Sequence, residues 1–354
     1  MIFSSWSVPV GITLPTLISV LLWSTTVIAT EVRRIDQTVA VPVFGDPNAF
    51  GDALEFSPVD SSLIAITSNA REVSLIDIGG MTVQWRLPTG FNSRAPAVFS
   101  HDGRLLAVGH GSDVSFVDVF TGEVRQRFPI TVTPYAPPQP YPIGPLQKLR
   151  WSRDDQSLLA VSNTDFVLAD RATGAALQVY YLPDRGALFG NVADIQFSED
   201  ERFVYLLTKT HLHIFNAASG VLVRTVGVLD LLPPNPARQI GAMRITADGL
   251  FTIVSERLFL YIIDNQTQQL VRRILAASAP IRDVGFTVDQ CCVLTASQDG
   301  TSRVYDIATG EQLTRLDDTR PANQRIGLTA VGSPKKLDVI ASADYSGLVR
   351  VWRP

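Results

Sequence analysis

The chain has 354 residues, a formal charge of −4 and 46% apolar residues. That length serves one large all-β domain or two small ones. The negative balance argues against general nucleic-acid binding, which relies on clustered Lys and Arg.

Residues 1–30 carry no charged side chain, and Thr13 to Ala29 is mostly apolar around Leu17-Ile-Ser-Val-Leu-Leu-Trp23. Three readings are open. Val27 and Ala29 suit a signal-peptidase site, with cleavage after Ala29 leaving an exported, extracytoplasmic protein in the periplasm, a lumen or the medium. No Lys or Arg precedes the apolar run, which counts against that reading. Residues 12–30 are nearly long enough to span a bilayer as a membrane anchor. Arg33-Arg34 would then keep the rest of the chain cytoplasmic by the positive-inside tendency. A mistaken start site or a buried segment is the third. Export is the expectation carried forward, with residues 1–30 as signal peptide or anchor and residues 31–354 as the folded domain.

Glu31 to Val43 looks like an outer strand with no repeat unit of its own. After it, two markers recur in step. The first is a polar residue behind an apolar one: Asp77, Asp118, Asp170, Asn216, Asp264, Asp306 and finally Arg353, spaced by 41, 52, 46, 48, 42 and 47 residues. A turn pair such as Thr121-Gly122 or Thr309-Gly310 follows most of them. Gly supplies the positive φ that such a turn needs. The second marker is an apolar residue, a small polar one and a turn. It appears as Phe56-Ser-Pro-Val-Asp, Phe99-Ser-His-Asp-Gly, Trp151-Ser-Arg-Asp-Asp, Phe197-Ser-Glu-Asp-Glu, Ile245-Thr-Ala-Asp-Gly, Phe286-Thr-Val-Asp-Gln and Val331-Gly-Ser-Pro-Lys. Short apolar runs such as Leu105-Leu-Ala-Val108 follow. A period of about 40–45 residues with four strands per unit predicts a β-propeller.

The clearest unit runs from Val293 to Leu313. Ala296-Ser-Gln-Asp-Gly-Thr-Ser-Arg-Val-Tyr-Asp306 and Ser342-Ala-Asp-Tyr-Ser-Gly-Leu-Val-Arg-Val-Trp352 resemble the WD40 repeat, a likeness that extends more loosely over residues 31–354. The expectation is an all-β, seven-bladed propeller. The last repeat stops at Val351-Trp-Arg-Pro354, after its third strand, so the N-terminal strand at 31–43 is expected to complete the C-terminal blade. The family's Gly-His pair ahead of the inner strand is missing from every copy. That removes the usual buried histidine partner of the turn aspartates, here Asp299 and Asp344.

The blades are then expected at about 52–88, 95–129, 147–183, 191–228, 240–277, 281–317 and 326–354. The resemblance places the connections between blades on one face. The proline-rich connection 130–146 is expected to be stiff and unpaired. Within it Tyr135, Pro137, Pro138 and Tyr141 present rigid apolar surface for a protein partner, or fold flat over the seam between the second and third blades. Arg94, Arg185, Arg238, Arg320 and Arg325 fall on other connections of that face. Arg is common at interface hot spots, and a solvated surface residue is the other reading of each.

No catalytic, cofactor or metal site is expected. His211 and His213 share a strand face, but the other histidines, His101 and His110, lie in another blade, and zinc needs a third and fourth ligand. Asp299 and Asp344 are explained by turn chemistry. Adjacent Cys291 and Cys292 are expected as buried, unbridged thiols. Asn265-Gln-Thr267 fits a glycosylation sequon and also a turn. Along the channel-lining strands the carboxylates are scattered at Glu55, Asp194 and Asp283; their convergence within about 5 Å would make a metal site.

The resemblance implies a non-catalytic protein-interaction scaffold or receptor, an inference from fold analogy; from the charge of −4, no nucleic acid is expected as a partner. Two alternatives stand beside it. One is an extracytoplasmic propeller enzyme, lactonase-like or quinoprotein-like. The other is an accessory subunit of a membrane complex, associated with the membrane through residues 12–30.

Overall fold

The short apolar runs of each repeat are strands covered on both faces. Ser157–Ser162 and Cys292–Ser297 are buried along their whole length, because each blade is sandwiched between two others. Small residues such as Ala160, Thr295 and Ala296 let these sheets approach closely. Outer strands behave differently. Thr82–Pro88 alternates between exposed and half-buried residues, as a strand with one wet face should.

The computed structural model describes residues 38–39, 49–69, 71–90, 95–133, 139–182, 192–287, 289–317, 325–333 and 339–352, the first pair for its backbone alone. All lie within 31–354. They form seven four-stranded antiparallel sheets and one two-stranded ribbon. Each sheet is one blade of a β-propeller. The inner strands are Gly51–Phe56, Ala97–Phe99, Leu146–Trp151, Val192–Phe197, Ile240–Ile245, Ile281–Phe286 and Leu328–Gly332. In blades one to six the outer strand carries a bulge against the third, for instance at Leu75/Ile76, Ile262/Ile263 and Val304/Tyr305. A bulge at a fixed place strengthens the local twist of the outer strand. In the seventh sheet the outer position is taken by Thr38–Val39, paired antiparallel with Arg350 and Val349. The rest of the expected strand 31–43 lies outside the described residues.

The core is divided among the seams between blades. Phe116 stacks on Trp151 at 5.1 Å across the seam of blades two and three, and the Trp151 indole donates to the Val98 carbonyl at 3.2 Å. Phe166, Tyr180 and Phe215 form an aromatic triangle between blades three and four. The seam between blades seven and one holds Ile64, Ile66, Ala341 and Val351, so packing continues around the ring.

Hydrogen bonds join neighbouring blades at the turn after the inner strand. Asp155, Glu201 and Gln290 have positive φ there. Their side chains accept the N–H groups of His101, Arg153 and Ala247 in the preceding blade, at 2.9, 2.6 and 3.0 Å. Gly103 and Gly249 take the same place in blades two and five, where Val59 and Tyr205 of the preceding blade press against the glycine.

Candidate interaction face and central channel

Both repeated markers of the sequence are turn staples. At the first, Asp118 Oδ1 accepts the N–H groups of Phe120 and Thr121 at 3.1 and 2.9 Å; Asp77, Asp170 and Asp264 accept from two N–H groups each in the same way. At the second, the Ser100 hydroxyl donates to Asp102 at 2.7 Å and its oxygen accepts the Leu105 N–H at 3.0 Å. Ser152–Asp154, Ser198–Asp200, Thr246–Asp248 and Thr287–Asp289 repeat this. Hydrogen bonds to the charged form hold Asp102, Asp118, Asp154 and Asp170 below the usual carboxylate range.

Asp299 and Asp344 have a partner that the sequence reading did not supply. In place of the family's histidine, an arginine from the third strand reaches each of them. Arg350 binds Asp344 Oδ2 at 2.8 Å with both groups buried, and Asp344 Oδ1 closes the turn through Ser346 and Leu348. Arg303 binds Asp299 Oδ2 at 3.0 Å and donates to the Ala276 carbonyl. These two aspartates are occupied in holding hairpins together.

The inner strands line a central channel of about 1340 Å³. Glu55, Asp194 and Asp283 all border it, together with Lys148, Arg150 and Arg244. The acids are matched with cations. Arg150 lies 3.6 Å from Glu55 and 3.7 Å from Asp194, and Arg244 lies 3.1 Å from Asp283. The second oxygens of Asp194 and Asp283 accept the N–H groups of Ile245 and Val331. Glu55 keeps 35% of its side chain open to channel water, yet the surrounding protein displaces enough solvent to push its carboxyl up. Burial, with Arg244 nearby, brings the Lys148 ammonium down to about 8. The arrangement is a charge-balanced ring. Among the described residues, no group of His, Cys, Asp and Glu has the arrangement a metal ion needs.

Connections between blades emerge, with the hairpin turns between second and third strands, at one end of the blades. Of the partner-binding candidates, Arg94, Tyr135, Pro137, Pro138, Arg185 and Arg320 lie outside the described residues. The proline-rich connection is not unpaired at its ends, contrary to expectation. Thr131–Val132 pairs with Tyr141–Pro142 as a ribbon; Pro142 has no N–H to give, and the Ile143 N–H donates to the Ile130 carbonyl at 2.9 Å. Ile130, Val132 and Ile143 are buried against blades two and three. Tyr141 is 40% exposed and its hydroxyl donates to Asp165 at 3.2 Å. Arg238 is turned inward, 3.3 Å from buried Glu256 and 2.8 Å from the Pro233 carbonyl. Arg325 is 3.5 Å from Asp317. Sequence alone could not show that these two arginines brace their own loops.

The lesser candidates resolve as follows. His211 and His213 are neighbours, their rings 5.8 Å apart. His213 is buried, bonds Thr225 at 3.1 Å, and is pushed down to about 4 by burial and then by His211. Cys291 is exposed rather than buried, while Cys292 is buried; both are free. A turn places Cys291 just before the strand that covers Cys292. Asn265 is 4% exposed, with its amide accepting from Thr252 and donating to the Gly249 carbonyl. Its nitrogen is therefore committed inside the blade.

Known proteins agree with this architecture. The family described as WD domain, G-beta repeat matches residues 268–306, which cover the end of blade five and most of blade six. The WD repeat-containing protein 55 homologs of Drosophila simulans and Drosophila melanogaster are each 34% identical over 104 residues. That stretch covers 29% of this chain and 20% of either relative's length.

Proposed function

We propose that this WD40-like β-propeller is a non-catalytic scaffold that holds a protein partner on the face formed by the connections between blades. The observation that carries the reading is the match of residues 268–306 to a WD repeat within a seven-bladed ring. The distribution of charge supports it. Every turn aspartate described above is engaged by N–H, hydroxyl or guanidinium groups, and the channel acids face arginines. A rigid ring with varied connections can present a broad docking surface at little entropic cost.

The test is affinity capture with the full chain from its own cells, quantified by mass spectrometry against the same chain with blade five unfolded by Val254→Asp. A partner recovered in fixed stoichiometry with the folded chain alone is the expected result. Recovery of nothing beyond background would remove the reading.

An extracytoplasmic address belongs to the same proposal, supported by the charge-free residues 1–30. An intact mass beginning at Thr30 in the soluble extracytoplasmic fraction is expected. A full-length mass in the membrane fraction would instead favour anchoring through residues 12–30.

A further inference from the structure

A second cavity lies where the connection into blade five meets the connection out of it. Its volume is about 540 Å³, within the roughly 300–1,000 Å³ of small ligand sites. Pro233 and Pro234 form one wall, Ala279 and Pro280 another, and Leu258 and Phe259 complete the apolar lining.

The polar groups of this cleft are nearly all donors. Glu256 is its one carboxylate, and it is consumed internally: Asn235 donates to one oxygen at 2.7 Å and Arg238 to the other at 3.3 Å. Arg257 and Arg273 are exposed, and neither guanidinium has a hydrogen bond or ion pair among the described residues. Arg273 stacks over Phe259 at 4.1 Å, which orients it and leaves its N–H edges free. Tyr261 also lines the cleft, is 4% exposed, and its hydroxyl has no partner among the described residues. An unpartnered hydroxyl at the cleft wall and two arginines without polar protein partners among the described residues, above an apolar floor, ask for an apolar ligand rich in acceptors.

The hairpin that carries Arg257 points the same way. Arg257 begins a two-residue turn with φ +52°, a position that favours glycine. The matching turn of blade two has Gly111 there, at φ +64°. Both residues present their carbonyl to the next inner strand, Gly111 to Leu146 and Arg257 to Ile281. A guanidinium thus stands where the fold itself asks only for glycine, at the rim of the cleft.

We propose that this cleft docks an extended acidic segment of a protein partner. One apolar side chain lies against Phe259 between the proline walls, flanking carboxylates bind Arg257 and Arg273, and the Tyr261 hydroxyl donates to a peptide carbonyl. The inference rests on the scaffold reading and gives it a site. Charge complementarity selects the occupant: the chain is negative overall, at −4, and this cleft is locally positive.

The test uses a fluorescein-labelled Glu-Leu-Phe-Glu-Asp peptide and fluorescence anisotropy with the full chain. The expected result is saturable binding that is about tenfold weaker for each charged hydrogen bond lost, hence about a hundredfold weaker for the amide counterpart Gln-Leu-Phe-Gln-Asn, which loses both. Arg273→Gln and Arg257→Gly, which lose one each, should each weaken it about tenfold, while Arg257→Gly melts no lower than the parent. Equal affinity for the acidic and amide peptides, unchanged binding by Arg257→Gly, or no saturation up to about 1 mM would overturn the proposal. So would tighter binding of a single-stranded oligonucleotide of equal charge, which would assign the arginines to phosphate. The two readings fail separately. Partner capture retained by the Arg257→Gly, Arg273→Gln double variant removes the cleft and leaves the scaffold; absence of capture by the parent chain removes the scaffold.

Discussion

At the scale of single residues, polar groups carry the repeat. Asp344 is fully buried and bound to Arg350 at 2.8 Å. Arg350→Ala should cost about 3–5 kcal/mol, because it strands a buried carboxylate; urea unfolding of the variant measures this. A loss under about 1 kcal/mol would mean that the turn N–H groups alone suffice. His213 gives a pH dependence. Its folded value is about 4, against about 6.5 for a free histidine. Between those values the unfolded chain binds more protons than the folded one. Stability is therefore full above pH 6.5 and falls as the pH drops toward 4. His110 is pushed down as well, first by burial, so His213→Leu should flatten this limb of the denaturation midpoint only in part. The aspartates were legible in the sequence because their spacing repeats. Their arginine partners were not, since Arg303 and Arg350 look like ordinary outward residues of a strand until the neighbouring blade covers them.

At the scale of elements, the blade is legible and its connections are not. Two markers per unit fix where four strands begin and end, because turn chemistry is local. What a connection touches is non-local. The 130–146 segment reads as a proline-rich loop, yet its ends make a ribbon, with Val132 in it and Ile143 beside it both buried. The cleft of blade five was invisible for the same reason: Pro233, Phe259, Arg273 and Pro280 come from four separate stretches. The seams, not the individual sheets, hold the apolar core, and Trp151 shows how. It is 4% exposed, stacks on Phe116 and donates to the Val98 carbonyl of the preceding blade. Trp151→Ala should destabilise the domain by about 3–5 kcal/mol, read from the urea midpoint. A loss confined to blades two and three in hydrogen exchange would show that the seams unfold independently.

At the scale of the whole molecule, the ring must close. Thr38–Val39 pairs with the last strand, and without it Val349–Trp352 would present an open edge. Deleting residues 31–43 should lower the melting temperature of the entire domain and promote aggregation seen by light scattering. An unchanged melting temperature would show that packing between blades seven and one is sufficient. The seven blades leave one face for the connections, with the blade-five cleft on it, and the opposite face for the belt of Asp155, Glu201 and Gln290. On the proposed function, the connection face holds the partner. Hydrogen–deuterium exchange of the full chain, with and without its captured partner, tests this directly. Protection over residues 228–239, 256–261 and 273–281 is the predicted result. Protection confined to the turns at 100–104, 152–157 and 198–203 would instead place the partner on the opposite face, and the connection face would not be its dock.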